Sequence, residues 1–222
     1  MGRVRVKICG ITTPEDARMV AEAGADAVGV VFADSARQVT VSQAARIVAA
    51  LPPWVTAVGV FVNATAEAIA EAAREAGLGA VQLHGDESPG EVNDAARQAK
   101  VIKAFRIGSE RDLAEARDAL GQCRPHACLV DARVEGRYGG TGEKAPWDLV
   151  ATVCKEFWPL ILSGGLAPDN VAEAIRTVRP FGVEASSGVE RSPGRKDPDM
   201  VRAFVEQAIR MDVEFPQVGD AE

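Results

Sequence analysis

Val6-Lys7-Ile8-Cys9-Gly10 sets a thiol at the end of an apolar run, with a lysine two residues before it. Side chains alternate along a strand. Arg5, Lys7 and Cys9 therefore share one face, and Val4, Val6 and Ile8 the other. A cation beside a thiol lowers its pKa from about 8.5 toward neutrality and makes it a base or nucleophile. A free cysteine is otherwise among the most buried and inert of residues, a description that suits Cys123, Cys128 and Cys154. Asp131 closes the apolar run Cys128-Leu129-Val130, just before a long glycine-rich loop at 132–145. An aspartate there serves either as a cap or ion-pair partner, or, beneath a lid, as a general acid with a raised pKa. Gln82 and His84 fall on one face of another strand, placed to bind substrate or to fill the interior. Arg37, in the loop segment Asp34-Ser35-Ala36-Arg37, is a side chain able to clamp a carboxylate, or a solvated loop arginine.

Three glycine-rich segments carry a different chemistry. Ser163-Gly164-Gly165 and Ser186-Ser187-Gly188 each end a strand pattern, and Gly139-Gly140-Thr141-Gly142 lies in the loop before them. A phosphate needs several backbone N–H groups converging on one point, which glycines permit and a following helix N-terminus favours. Each segment alone would read as a turn. Two on successive strand ends point to a phosphate site that includes Ser163, Gly164, Gly165, Ser186, Ser187 and Gly188, with Gly140 and Gly142 as a third side. No G-x-G-x-x-G follows the first strand, so a dinucleotide site is unsupported.

These residues need a frame that gathers strand ends. β-Branched runs at 3–9, 27–33, 56–62, 80–85, 101–105, 127–132, 160–164 and 181–187 alternate with alanine-rich amphipathic stretches. Helix starts recur at Thr13-Pro14, Thr40, Ser88-Pro89, Ser109, Ala167-Pro168 and Asp197-Pro198. Eight strand–helix units without a break in composition close most naturally into a single (β/α)8 barrel; an open doubly wound sheet is the alternative. The barrel is expected over 1–211 and a loose polar tail over 212–222. In a barrel the active site lies at the C-terminal strand ends, where Cys9, Gln82, His84, Asp131 and the serine–glycine segments fall. The 222-residue chain carries a net charge of −7 and no basic stripe, which argues against a nucleic-acid partner. It has no apolar run long enough to span a membrane and no signal-peptide pattern, so a cytoplasmic location is expected. The four cysteines lack metal-site spacing and are expected as thiols, with no metal bound.

The segments "VKICGIT", "GVFVN", "VQLHGDE", "IKAF", "LVDA…GGTG", "LSGGLAPDNV" and "SSGVE…PGRKD", in this order, resemble the phosphoribosylanthranilate isomerases of tryptophan biosynthesis over residues 4 to about 210. The resemblance implies a TIM barrel that converts N-(5-phosphoribosyl)anthranilate to 1-(2-carboxyphenylamino)-1-deoxyribulose 5-phosphate, an Amadori rearrangement. It implies Cys9 as general base, Asp131 as general acid and Arg37 as the partner of the anthranilate carboxylate. It also implies no cofactor and a small sugar-phosphate as the only ligand, and it leaves monomer and homodimer both open.

Two positions depart from the family pattern: Ala36 where a proline is usual, and Glu184 where an aspartate precedes the serine pair. Gly182, Glu184 and Ser186 share the inward face. Glu184 is expected to stay ionised and orient the site, either by reaching the aspartate's partner or by pairing with Lys7. Two other functions compete. One is a related sugar-phosphate isomerase such as the analogous enzyme of histidine biosynthesis, where an aspartate is expected in place of Cys9. The other is a phosphate-binding barrel without turnover, against which the presence of both Cys9 and Asp131 argues.

Overall fold

The computed structural model describes residues 2–132 and 146–213. Eight parallel strands close on themselves: β1 (Arg5–Cys9), β2 (Ala27–Val31), β3 (Thr56–Phe61), β4 (Ala80–Leu83), β5 (Val101–Ile107), β6 (Ala127–Ala132), β7 (Leu160–Leu162) and β8 (Gly182–Ala185). Closure is made by β8 against β1, with Arg5 opposite Gly182 and Lys7 opposite Glu184. This removes the open-sheet alternative. Helices α1 (Pro14–Glu22), α2 (Val41–Ala49), α3 (Ala66–Ala76), α4 (Pro89–Ala96), α5 (Glu110–Gln122), α6 (Trp147–Ala151), α7 (Val171–Val178) and α8 (Pro198–Ile209) follow the strands in turn. Outward strand residues such as Val6, Ile8, Val183 and Ala185 pack with Ala17, Val20, Phe204 and Val205 of the helices in one apolar layer. A fully buried side chain such as Phe204 contributes about 1.5–3 kcal/mol to this layer.

Local chemistry starts the helices where their caps stand. Thr40 and Ser88 form reciprocal capping boxes with Gln43 and Glu91, and Ser109 accepts from the backbone of Asp112. Thr13 accepts from the backbone of Asp16 without a reciprocal box, and the Asp16 carboxylate accepts from the backbone of Lys196 at 3.4 Å. The expected start at Ala167-Pro168 is corrected. Residues 168–170 form a turn and α7 begins at Val171. Asn170 holds that turn, accepting from the Ala167 N–H and donating to the Gly165 carbonyl, both at 2.9 Å. Arg5 is also corrected. It sits at the open lower end of the barrel, exposed and paired with Asp26, because a charge at a rim keeps its hydration. Most strands end one or two residues before the expected limits, as the chain turns out to form the site. Asp212–Val213 pairs antiparallel with Gly2–Arg3, a short strand separate from β1. The loop at 133–145, with Gly140 and Gly142, lies outside the described residues.

Candidate functional site

At the C-terminal mouth of the barrel is a cavity of about 470 Å³ lined by Cys9, Arg37, His84, Asp131, Glu184 and the two serine–glycine segments. Strands β1, β4, β6, β7 and β8 each end here, so residues far apart in sequence converge. Lys7 and Gln82 lie just below, both buried.

Beneath the cavity floor runs a chain of polar contacts. Glu184 pairs with Lys7, the second of the two arrangements expected of it. Ser163 donates to the other carboxylate oxygen of Glu184 at 3.1 Å. Lys7 also donates to the Gln82 side-chain carbonyl at 2.6 Å, and the Gln82 amide nitrogen lies 2.9 Å from His84 Nδ1. His84 Nε2 lies 3.3 Å from Asp131 Oδ2. Burial pushes Lys7 down, but its interactions with Cys9, which count as a charge only where that thiol ionises, and with the Glu184 carboxylate outweigh it and hold the ammonium above its ordinary value.

The expectation that Lys7 brings the Cys9 thiol toward neutrality is corrected. Burial pushes Cys9 up, Glu184 adds to that, and the positive charges of Lys7 and Lys196 with the Gly10 N–H do not offset it. Burial is the larger cause, and Glu184, paired with Lys7, opposes the field that Lys7 exerts on the thiol. Cys9 rests as a thiol. Gly29, opposite Cys9 across β1 and β2, makes its rotamer possible, since a Cβ there would meet Sγ at 2.6 Å.

Arg37 stands at the cavity wall and is not a free clamp. Its Nε and Nη2 donate to the two oxygens of Glu190 at 2.9 and 2.7 Å. A guanidinium has five N–H donors, so this fork fixes the group while leaving others for a ligand. Lys196, fully buried, donates to Glu190 at 2.7 Å and to the Ser186 carbonyl at 3.1 Å. Burial pushes Glu190 up, yet the bonds from Arg37 and the charge of Lys196 hold it below the usual carboxylate range. Glu190, Lys196 and Asn170 were not among the sequence candidates, although all three lie in the quoted motifs. An acidic and a basic residue six apart, flanking a Pro-Gly turn, were the available signal for the Glu190–Lys196 pair.

Residues 6–207 match the family model described as N-(5'-phosphoribosyl)anthranilate (PRA) isomerase. The chain belongs to this isomerase family. The N-(5'-phosphoribosyl)anthranilate isomerase of Trichlorobacter lovleyi is 49% identical over 208 residues, covering 92% of this chain and 98% of the relative. That of Geobacter sulfurreducens is 51% identical over 206 residues, covering 92% and 98%. Among solved structures, phosphoribosyl anthranilate isomerase from Thermotoga maritima superposes with a TM-score of 0.87 at 43% identity, covering 94% of this chain and all of that one. A second isomerase structure, in complex with reduced 1-(o-carboxyphenylamino)-1-deoxyribulose 5-phosphate, gives a TM-score of 0.84 at 42% identity, with 94% and 100% covered.

The serine–glycine loops of this isomerase chain are held together by backbone. Gly164 and Gly165 have φ of 87° and 63°, a left-handed region that side chains strain. A Cβ on Gly188 would lie 2.1 Å from the Leu166 carbonyl oxygen. Gly188→Ala must therefore push the two loops apart, rather than merely crowd an anion between them. The variant should lose about 1–3 kcal/mol of stability and raise KM about tenfold, with kcat little changed. Substrate titration of folded variant checks this, and an unchanged KM would show that the phosphate does not bridge these loops.

Proposed function

We propose that the chain isomerises N-(5-phosphoribosyl)anthranilate to 1-(2-carboxyphenylamino)-1-deoxyribulose 5-phosphate, with Asp131 as general acid and Cys9 as general base. The observation that carries this reading is the convergence of a thiol, a carboxyl group, an anchored arginine and two serine–glycine loops on one cavity. The loops after β7 and β8 hold the phosphate. The remaining donors of Arg37 take the anthranilate carboxylate, with Glu190 fixing the plane of the guanidinium.

Between these anchors the sugar lies across the barrel mouth. Protonated Asp131 gives its proton to the furanose ring oxygen as the bond from that oxygen to C1′ breaks. The lone pair of the anthranilate nitrogen moves in to form an iminium. Cys9 thiolate then takes the proton from C2′, and the electron pair of that bond moves to neutralise the iminium, giving an enolamine that tautomerises to the ketone. The iminium supplies its own electron sink, so the chemistry calls for no cofactor. It also addresses the high resting pKa of Cys9: the positive charge created by ring opening favours the thiolate when the base is needed. Each group is asked for about 10²–10⁴ in rate. The test is direct. The anthranilate substrate is fluorescent, and purified protein should quench its signal far faster than spontaneous breakdown. A decay equal to the spontaneous one would sink the proposal.

A further inference from the structure

We infer that Gln82 is a positioning residue that fixes His84 as the Nε2–H tautomer, turning an N–H and not a lone pair toward Asp131 and denying the ring the role of base. The assignment follows from donor counting along the buried chain. Lys7 has only donors, so the Gln82 atom it meets at 2.6 Å is the amide oxygen. The other end of that amide is therefore the NH2 group, which only donates. It meets His84 Nδ1 at 2.9 Å, so Nδ1 must accept and carries no proton. In a neutral imidazole the proton then sits on Nε2. That atom is buried, closes no well-aligned hydrogen bond, and lies 3.3 Å from Asp131 Oδ2 beside the cavity. Glu184 completes the logic at the far end, because its charge keeps Lys7 an ammonium and hence a pure donor.

The consequence rests on the reading of Asp131 as the acid. The Nε2–H then faces the Asp131 carboxyl group across 3.3 Å, as a donor and not as a second base. A histidine without an available Nε2 lone pair does not compete with Cys9 for the C2′ proton. The chain has two histidines, His84 and His126, so the ring nitrogens of ¹⁵N-histidine-labelled protein are few enough to assign, with His126→Gln removing one set. At about pH 8, where an ordinary imidazole is neutral, wild-type His84 should show a protonated Nε2 and an unprotonated, far-downfield Nδ1. In Gln82→Glu, nearly the same in shape, the new carboxylate accepts from Lys7 and also demands a donor from His84. The proton should move to Nδ1, and kcat should fall about tenfold with KM within about twofold. A wild-type spectrum with the proton on Nδ1 would overturn the inference whether or not any variant folds. So would folded Gln82→Glu with wild-type ring nitrogens. The spectrum needs no turnover, so failure of the tautomer assignment is distinguishable from failure of the isomerase assay.

Discussion

Replacing Cys9 with serine, or Asp131 with asparagine, should lower kcat by about 10²–10⁴-fold while leaving KM within about threefold. The split follows from what each side chain touches. Phosphate and carboxylate anchoring is assigned to the serine–glycine loops and to Arg37, so neither substitution removes a binding contact. Both remove a proton donor or acceptor of suitable strength: serine is far too weak an acid to supply an alkoxide base, and an amide has no acidic proton. The wild-type pH profile carries the same argument. Burial pushes the Cys9 thiol above its ordinary value, with Glu184 adding to it. The reactive form is the thiolate, so kcat/KM should rise with pH toward a midpoint on the alkaline side of an ordinary thiol, and Cys9→Ser should abolish that rise. Retention of more than about a tenth of wild-type kcat by either variant would remove that residue from its role.

The architecture was legible because it is periodic. Strand alternation put Lys7 with Cys9 and Gln82 with His84 on shared faces, and the phosphate loop at Ser186 oriented the face of Glu184; the structure puts all five in or under one cavity, while Arg5, on the Lys7 face, lies at the exposed rim. Capping chemistry is equally local, so the starts at Thr40, Ser88 and Ser109 read directly. Pairing between distant residues is not periodic. That Glu184 pairs with Lys7 depends on closure of β8 against β1, and burial together with that carboxylate holds Cys9 above its ordinary value, against the expectation of an activated thiol. That Arg37 is already forked onto Glu190 depends on a hairpin, Glu190–Ser192 with Arg195–Lys196, folding back from the last strand over the loop after β2. The turn at 168–170 misled because proline starts a helix and also builds a turn; the Asn170 side chain decides between them.

Breaking the Lys7–Glu184 pair should be the most destabilising single change among the polar residues of the site, while removing both partners should be mild. Both side chains are about 5% exposed, so neither charge is hydrated. At an effective dielectric near 20, unit charges about 4 Å apart attract by roughly 4 kcal/mol, and the cost of stripping their water is of similar size. The pair is thus nearly neutral in net stability, but each charge is expensive without the other. Glu184→Gln leaves the Lys7 ammonium beside amide oxygens and the Cys9 sulfur, with no carboxylate among the described residues, and Lys7→Met leaves the Glu184 carboxylate with the Ser163 hydroxyl in place of a cation. Each should cost about 3–5 kcal/mol in urea unfolding. The double variant Lys7→Met with Glu184→Leu replaces both charges by apolar groups and should recover most of that loss. The sign of the pH dependence agrees: Lys7 is held above its ordinary value, so its contribution is whole near neutral pH and disappears only as pH rises through the raised folded value. Activity separates the two roles of the pair. The stable double variant should still lose about tenfold or more in kcat/KM, because the Gln82 amide is no longer held by Lys7. If the two single losses simply add in the double variant, the charges do not interact and Glu184 orients nothing.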